Sequence, residues 1–275
     1  MNKEPLNRAE HFCSRFGMKA PILLAQDGDT TRPDFQAQCE AMLQSAPPAV
    51  SSTMGVFAPE FVTRLKKQGI AWFANVTTVE EARQAEAAGA EVIVAQGAEA
   101  GGHRGSFRME DAETRLVGLF SLLPCVVDAV RVPVVATGGI ADARGTAAAL
   151  LLGASAVQIG TGFLRCPEAQ LHPAWAEAIA RTLPEQTVVT RAFSGRAGRS
   201  IATTYVQATM SPEAPAPAPY PVQRGLTTRM RSAAQKEGDV QRMQAWAGQS
   251  ASLSKAVPAG ERLAEIWAAA RQLLA

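Results

Sequence analysis

The sequence has little of what several classes of protein depend on. Its four cysteines (Cys13, Cys39, Cys125 and Cys166) are scattered and form no Cys-x-x-Cys pair, which argues against a disulfide framework and a zinc site. No apolar run reaches the length of a membrane-spanning helix, and no signal peptide is recognisable. We therefore expect free thiols in a reducing compartment and, by default, a cytoplasmic protein that does not contact a membrane. One hypothesis is that Cys13 or Cys166 is a reactive thiol; the alternative is that each is a buried thiol that packs in the apolar core.

Charge is also scarce. Charged residues make up 19% of the chain and the formal net charge is +2, so the sequence lacks the strong field that nucleic-acid binding needs. No group of His, Asp or Glu has the spacing of metal ligands, so no metal is expected. The phosphate-binding Gly-Lys-Ser/Thr of a Walker loop is absent as well.

Alternating strands and helices are what the sequence does contain. Six short apolar runs begin near residues 21, 49, 70, 91, 132 and 156, and most follow one another at about 20–24 residues. Helical patterns separate them, several ending in a glycine, and Thr78 with Glu81 forms a capping-box pattern. Such repetition predicts a parallel sheet with right-handed crossovers. The predicted helices span 34–44, 59–68, 78–88, 113–130, 142–152 and 167–183.

The run from 91 to 105 organises the rest of the sequence. Four apolar residues lead into a loop with four glycines, one Gln, one Glu, one His and one Arg. A strand that ends in such a loop is typical of a ligand site at the carboxyl end of a parallel strand. His103 is the side chain there whose ordinary pKa lies near neutrality. A structural loop histidine is the alternative interpretation.

Two later runs repeat the pattern of a strand followed by a glycine turn. The first is Val132-Pro-Val-Val-Ala-Thr-Gly-Gly-Ile-Ala-Asp142, and the second is Ala154-Ser-Ala-Val-Gln-Ile-Gly-Thr-Gly-Phe163. Successive turns of this kind are typical of the phosphate cup after the last two strands of a (β/α)8 barrel, where backbone N–H groups hold the phosphate. Tight turns without a ligand are the alternative.

Together these runs resemble the FMN-dependent nitronate monooxygenase family, formerly called 2-nitropropane dioxygenases. The string Ala95-Gln-Gly-x-Glu-Ala-Gly-Gly-His-x-Gly105 carries the resemblance, and the runs 136–142 and 157–161 support it. It covers roughly residues 12–26 and 34–270. The resemblance implies a TIM-type (β/α)8 barrel with a smaller helical cap domain, and FMN as cofactor.

The resemblance also assigns roles to single residues. It implies that His103 contacts the nitro group or accepts the proton α to it. The positions it implies for FMN binding are Gln96, Gly101, Gly139, Gln158, Ile159, Gly160 and Thr161. Two roles stay open for Glu99, which orients His103 or bonds the loop backbone. Arg104 attracts the anionic substrate or is an ordinary surface arginine.

The chain departs from the family pattern in one place. Six strands are recognisable where a closed barrel needs eight, and Gln26 runs into Asp27 where the family shows a Pro-Met turn and later a strand that bears an Asn. The barrel is therefore expected to be incomplete, with two βα units deleted after the first strand. An open parallel sheet exposes two edges, and a homo-oligomer is one way to cover them.

The remainder divides the chain into three predicted parts. Residues 12–164 form the FMN-binding barrel, 165–250 a helical cap or substrate domain, and 251–275 a C-terminal helix that returns to the barrel. A basic turn at 194–199 is either solvated or contacts an anion at the site mouth. Residues 211–221 are a proline-rich connector.

The predicted function is FMN-dependent oxidation of alkyl nitronates by oxygen to a carbonyl compound and nitrite. The partners are then a small nitronate or nitroalkane substrate and oxygen. Two alternatives stay open: an FMN-dependent enoyl-thioester reductase, whose family shares the Gly-Gly-His layout, and a non-catalytic remnant that lacks part of the barrel.

Overall fold

Six parallel strands form the central sheet of the protein, which a computed structural model describes for residues 4–24 and 34–275. The strands are β1 Ile22–Leu24, β2 Ala49–Ser52, β3 Ala71–Val76, β4 Val92–Gln96, β6 Val134–Thr137 and β7 Ala156–Ile159. Their order in the sheet is β1-β7-β6-β4-β3-β2. The six predicted strands are thus confirmed. At the first of them the sequence predicts a strand over 21–26 and a polar turn at 27–33, of which residues 25–33 lie outside the described residues.

The sheet is an incomplete (β/α)8 barrel. Each interior strand pairs with two parallel neighbours, whereas β1 pairs only with β7 and β2 only with β3 among the described residues. These two edges flank the place where the sequence predicts two missing units. Oligomerisation that covers them remains a prediction.

Helices lie on the outer face of the sheet. They are α2 Phe35–Ser45, α3 Pro59–Lys67, α4 Val79–Ala87, α5 Leu119–Ala129, α6 Ala143–Leu151 and α10 Ala259–Leu274. Outward side chains of the strands, such as Trp72 and Ile93, bury with these helices in the main apolar core. Because both faces of the strands are covered, they are nearly continuous apolar runs, as parallel strands usually are. Helix α10 packs on α6.

The inner face of the sheet is closed at one end by α1 (Pro5–Phe16). Phe12 and Phe16 of this helix pack against Phe73, with ring centroids 6.3 and 5.2 Å away. Arg15 pairs at 2.8 Å with Glu91, which directly precedes β4. Helix α1 therefore plugs the amino end of the strands and leaves their carboxyl end for a site.

Helix α5 is shorter than predicted. It begins at Leu119 instead of residue 113, with Gly118 in the N-cap position in extended conformation. The sequence pattern predicts an apolar face at Leu116, Leu119, Phe120, Leu123, Val127 and Val130. This face is partly wrong, because Phe120 is 74% exposed and Leu116 is 41% exposed, whereas Leu122 and Val126 are buried. The predicted helix 167–183 likewise begins late, at Pro173, because the His172 ring accepts the N–H of Ala174 and ends the preceding turn.

The segment from 165 to 250 contains strands as well as helices. Its helices are α7 Pro173–Arg181, α8 Thr204–Thr209 and α9 Val222–Glu237. Strands β8 (Thr187–Thr190) and β9 (Gly198–Ile201) form an antiparallel sheet with the two-residue strand β5 (Gly102–His103). This ribbon joins the segment to the glycine-rich loop. The division into three parts at residues 165 and 251 stays a prediction.

Candidate functional site

A tier of polar side chains ends the inner face of the barrel. On β3, β4, β6 and β7 the inward positions are apolar through most of the strand, and Phe73, Val92, Val94, Val135 and Ala156 share one buried cluster. The last inward position of each strand is polar. These four residues are Asn75, Gln96, Thr137 and Gln158. The tier lies at the carboxyl ends of parallel strands, where ligands bind in this type of fold.

A cavity opens directly above this tier. Besides the four polar residues, the lining contains five glycines, two hydroxyl residues and two apolar residues. These are Gly101, Gly138, Gly139, Gly160 and Gly248, then Thr161 and Ser250, and finally Ala100 and Ile140. Six of the seven positions that the sequence indicates for a cofactor are in this lining. Ile159 is the seventh, and its side chain lies in the outer core instead.

The amide of Gln96 is engaged by the chain itself. Its Oε1 accepts hydrogen bonds from Arg104 at 3.0 Å and from the Gly105 N–H at 2.9 Å, and its Nε2 donates to the His103 carbonyl at 3.2 Å. Gln96 therefore fixes the course of the Gly-Gly-His loop where that loop leaves the strand.

Arg104 is not a surface arginine. It is fully buried, donates to the Gly97 carbonyl at 2.7 Å in addition to Gln96, and its backbone N–H reaches the Ala197 carbonyl. Burial, with a smaller contribution from the nearby Arg199, lowers the pKa of Arg104 to about 10. The side chain consequently supports the loop from behind, and neither role considered from the sequence describes it.

Glu99 bonds backbone groups of two other elements. Its two carboxylate oxygens accept the N–H of Leu119, and its carbonyl accepts the N–H of Gln249 at 2.9 Å. The carboxylate therefore bonds backbone, but at the first residue of α5 and not in the glycine-rich loop.

His103 is held by residues of the 165–250 segment. Its Nε2 lies 2.8 Å from the hydroxyl of Ser194, and its ring centroid is 5.1 Å from that of Trp246. The Ser194 hydroxyl is also 3.1 Å from the Arg196 carbonyl. When Ser194 donates to that carbonyl, the His103 Nε2 carries the proton and donates to the Ser194 oxygen.

The basic turn at 194–199 is buried instead of solvated. Ser194, Arg196 and Arg199 are all buried, and the Arg196 guanidinium donates to the Ser106 carbonyl. Arg199 reaches the Ala98 carbonyl at 2.9 Å. These arginines bind the backbone of the glycine-rich loop and its continuation.

A return loop from the C-terminal part of the chain completes the cavity. The N–H of Gly248 donates to the Thr161 hydroxyl at 3.0 Å, and the Ser250 hydroxyl donates to the Gly139 carbonyl. Asn75 was missed, although the alternation Ala71, Phe73, Asn75 puts it on the same face as the core.

The residues present fit FMN in two respects. Toward β6 and β7 the cavity wall is glycine backbone with the hydroxyl of Thr161, which suits a phosphate because no Cβ intervenes. Toward β3 and β4 it consists of amide side chains, and Oδ1 of Asn75 is buried without a hydrogen-bond partner among the described residues. The cavity thus offers an acceptor to a ligand.

Other kinds of site find no support in the described part of the chain. There, no three His, Cys, Asp or Glu side chains are grouped so that they could hold a metal ion. Among the described helices, none combines the length and apolar character needed to cross a membrane. All four cysteines are free thiols.

Comparison with known proteins points to one family. The family model described as nitronate monooxygenase matches residues 2–268. A nitronate monooxygenase from Paraburkholderia phytofirmans is 38% identical over 258 residues, which is 94% of this chain and 70% of that protein. A probable nitronate monooxygenase from Staphylococcus aureus is 37% identical over 237 residues, or 86% of this chain and 66% of that protein. The chain thus spans about two thirds of the length of these relatives.

Solved structures agree with these matches. The nitroalkane oxidase from Streptomyces ansochromogenes superposes with a TM-score of 0.82 at 38% identity, covering 98% of this chain and 77% of that one. FabK from Thermotoga maritima gives a TM-score of 0.72 at 28% identity, covering 99% and 83%.

Proposed function

Because this chain belongs to the nitronate monooxygenase family, a family of oxidoreductases, we propose that it oxidises alkyl nitronates with bound FMN and oxygen to a carbonyl compound and nitrite. The observation that carries the proposal is the arrangement of the 96–105 loop. Eight consecutive residues, 96–103, contain Gln96 of the polar tier, Gly101 of the cavity lining and the imidazole of His103.

The proposed cofactor contacts follow from the two ends of the cavity. Main-chain N–H groups at Gly139, Gly160 and Thr161 bind the phosphate, and the Thr161 hydroxyl still has its own proton to donate, since it accepts from Gly248. Gln96, Gln158 and Gly101 face the remainder of the cofactor, and Ile159 contributes main chain only. Bound FMN supplies the redox chemistry, which is electron transfer from the nitronate followed by reaction with oxygen.

His103 is the proposed catalytic residue. An imidazole is suited to accept a proton α to a nitro group near neutral pH, or to donate a hydrogen bond to the nitro oxygens. Ser194 and Trp246 fix its ring, and Gln96 fixes its carbonyl, so the imidazole keeps one orientation.

The test compares His103→Asn with His11→Asn, a matched change on the exposed face of α1. We expect the His103 variant to lose turnover of nitronate or nitroalkane while it still binds FMN, and the His11 variant to keep both. Undiminished turnover by the His103 variant would remove this residue from the mechanism.

The same assays distinguish the proposed activity from an enoyl-thioester reductase and from a non-catalytic remnant. A requirement for a reduced nicotinamide would favour the enoyl-thioester reductase. FMN binding without turnover of either substrate class would favour a remnant that has kept the site and lost the activity.

A further inference from the structure

Asn75 has a buried polar atom that the described protein does not use. The residue ends the inner face of β3 and lines the cavity, and its Oδ1 is inaccessible to solvent with no hydrogen-bond partner in the described part of the chain. Its Nδ2 donates to the Thr53 hydroxyl at 3.3 Å. Leaving a buried acceptor unpaired is costly, and such a group in a ligand cavity indicates a donor on the ligand.

The surroundings are shaped to keep this amide in place. A Cβ on Gly105 would lie 2.3 Å from the Asn75 Nδ2 and 3.3 Å from the Thr53 hydroxyl, so the glycine provides the space that the amide fills. Thr53, which directly follows the neighbouring strand β2, holds the other side of the amide. Asn75 is therefore positioned by two adjacent elements even though nothing in the described chain uses its carbonyl oxygen.

The neighbouring Gln96 cannot supply the same acceptor. Its Oε1 already accepts two hydrogen bonds, from Arg104 and from Gly105. At the β3 end of the cavity, the side-chain atom that can accept a hydrogen bond from a ligand is therefore the Asn75 Oδ1. That end lies across β4 from the glycine wall at β6 and β7, where the phosphate is proposed to bind.

We propose that Asn75 recognises the imide edge of the flavin ring, an inference that rests on the proposed binding of FMN. This edge has one N–H between two carbonyl groups. The Asn75 Oδ1 accepts the imide N–H, and the second hydrogen of Nδ2 is available to one of the ring carbonyls, because an amide and an imide have complementary donors and acceptors. The contact to the flavin ring then comes from Asn75 on β3, a strand that is present in this incomplete barrel.

The test uses FMN and N3-methyl FMN, which lacks the imide N–H, and measures binding to the apoprotein by quenching of flavin fluorescence. We expect wild-type protein to bind N3-methyl FMN about tenfold or more weakly than FMN. Asn75→Leu should weaken binding of FMN by a similar factor and should bind the two flavins alike. Asn7→Leu, a matched change at an exposed position of α1, should behave as wild type.

The outcomes separate this inference from the proposed function. Failure of the wild type to bind FMN would overturn both. FMN binding by the wild type together with equal binding of N3-methyl FMN would overturn the role of Asn75 alone, and this comparison needs no variant to fold. Asn75→Asp provides a second readout, because a carboxylate beside the imide edge should lower the reduction potential of the bound flavin, whereas a purely structural role would leave the potential unchanged.

Discussion

The Glu99 carboxylate accepts the backbone N–H of Leu119, at 2.8 Å to Oε1 and 3.0 Å to Oε2. Leu119 is the first residue of α5, and the N-cap residue Gly118 has no side chain that could accept this N–H. A residue of the glycine-rich loop thus caps a helix of the barrel wall, where a negative charge also complements the helix dipole.

Replacing Glu99 should therefore destabilise the protein. We expect Glu99→Ala to lower the free energy of unfolding by about 1–2 kcal/mol, the usual cost of removing a helix cap. Glu99→Gln keeps an acceptor oxygen and should lose less. Denaturant unfolding of both variants measures the difference, and equal midpoints for Ala and wild type would show that the cap has no effect on stability.

Gly101→Ala should disturb the return loop. An added Cβ would lie 2.4 Å from the Gly248 nitrogen and 2.7 Å from the Ala247 carbonyl carbon, so the 247–250 loop has to move. We expect a loss of about 1–3 kcal/mol in unfolding free energy, together with weaker FMN binding. Gly225→Ala is the control, because its Cβ meets no atom within 4 Å and alanine favours the helix there. A Gly101 variant as stable as the control variant would contradict this account.

The contribution of Asp142 should depend on pH. Its side chain accepts the Gly145 N–H at 3.1 Å and so caps α6. Although burial raises the pKa of Asp142, hydrogen bonds from Arg144 and Gly145 outweigh it, and the pKa lies below its usual value. Because the folded-state pKa is depressed, the stabilisation is complete above the unfolded pKa of about 3.9 and is lost as the pH falls through the folded value.

Asp142→Asn isolates this ionisation, because asparagine also caps helices but carries no charge. The stability difference between wild type and the Asn variant should be largest at neutral pH and should shrink below about pH 4. Unfolding by urea at several pH values measures it. A difference that stays constant with pH would exclude the carboxylate charge as its source.

Alkylation should distinguish Cys125 from the other thiols. Cys125 is exposed, whereas Cys39 and Cys166 are buried and Cys13 is partly so. Burial raises the pKa of the Cys13, Cys39 and Cys166 thiols, which lowers the fraction of reactive thiolate at neutral pH. Brief treatment with iodoacetamide, followed by peptide mass analysis, should label Cys125 first. Cys125→Ser should then react slowly, and early labelling of Cys166 would contradict the structure.

The strands were predictable because their signal is local. Each apolar run of the barrel buries both faces, so it stands out from the polar helices on either side. The late start of α5 was not predictable in the same way, since it is set by a carboxylate 20 residues earlier in the chain. The burial of Phe120 was mispredicted for a related reason, because a helical apolar pattern does not show which side faces the sheet.

The site was predictable to the extent that it lies in glycine-rich turns. The two-residue strand at Gly102 and His103 was not, because it exists only through pairing with β9, almost a hundred residues later. Both roles predicted for Arg104 assumed an exposed side chain, since a charged residue in a loop usually is exposed. Its burial depends on carbonyl groups that the fold brings together. Asn75 could have been found by extending the two-residue alternation to the last position of β3.

The two open edges of the sheet have a consequence for engineering. β1 ends at Leu24 and α2, which leads into β2, begins at Phe35, so the missing part of the barrel corresponds to one short interval of sequence. A pair of βα modules from a full-length homologue, grafted into that interval, would meet both edges at once and need no other junction. Two βα units can thus be added to this protein, and the change in stability and activity measures what those units contribute. In a full-length homologue the same question requires their removal.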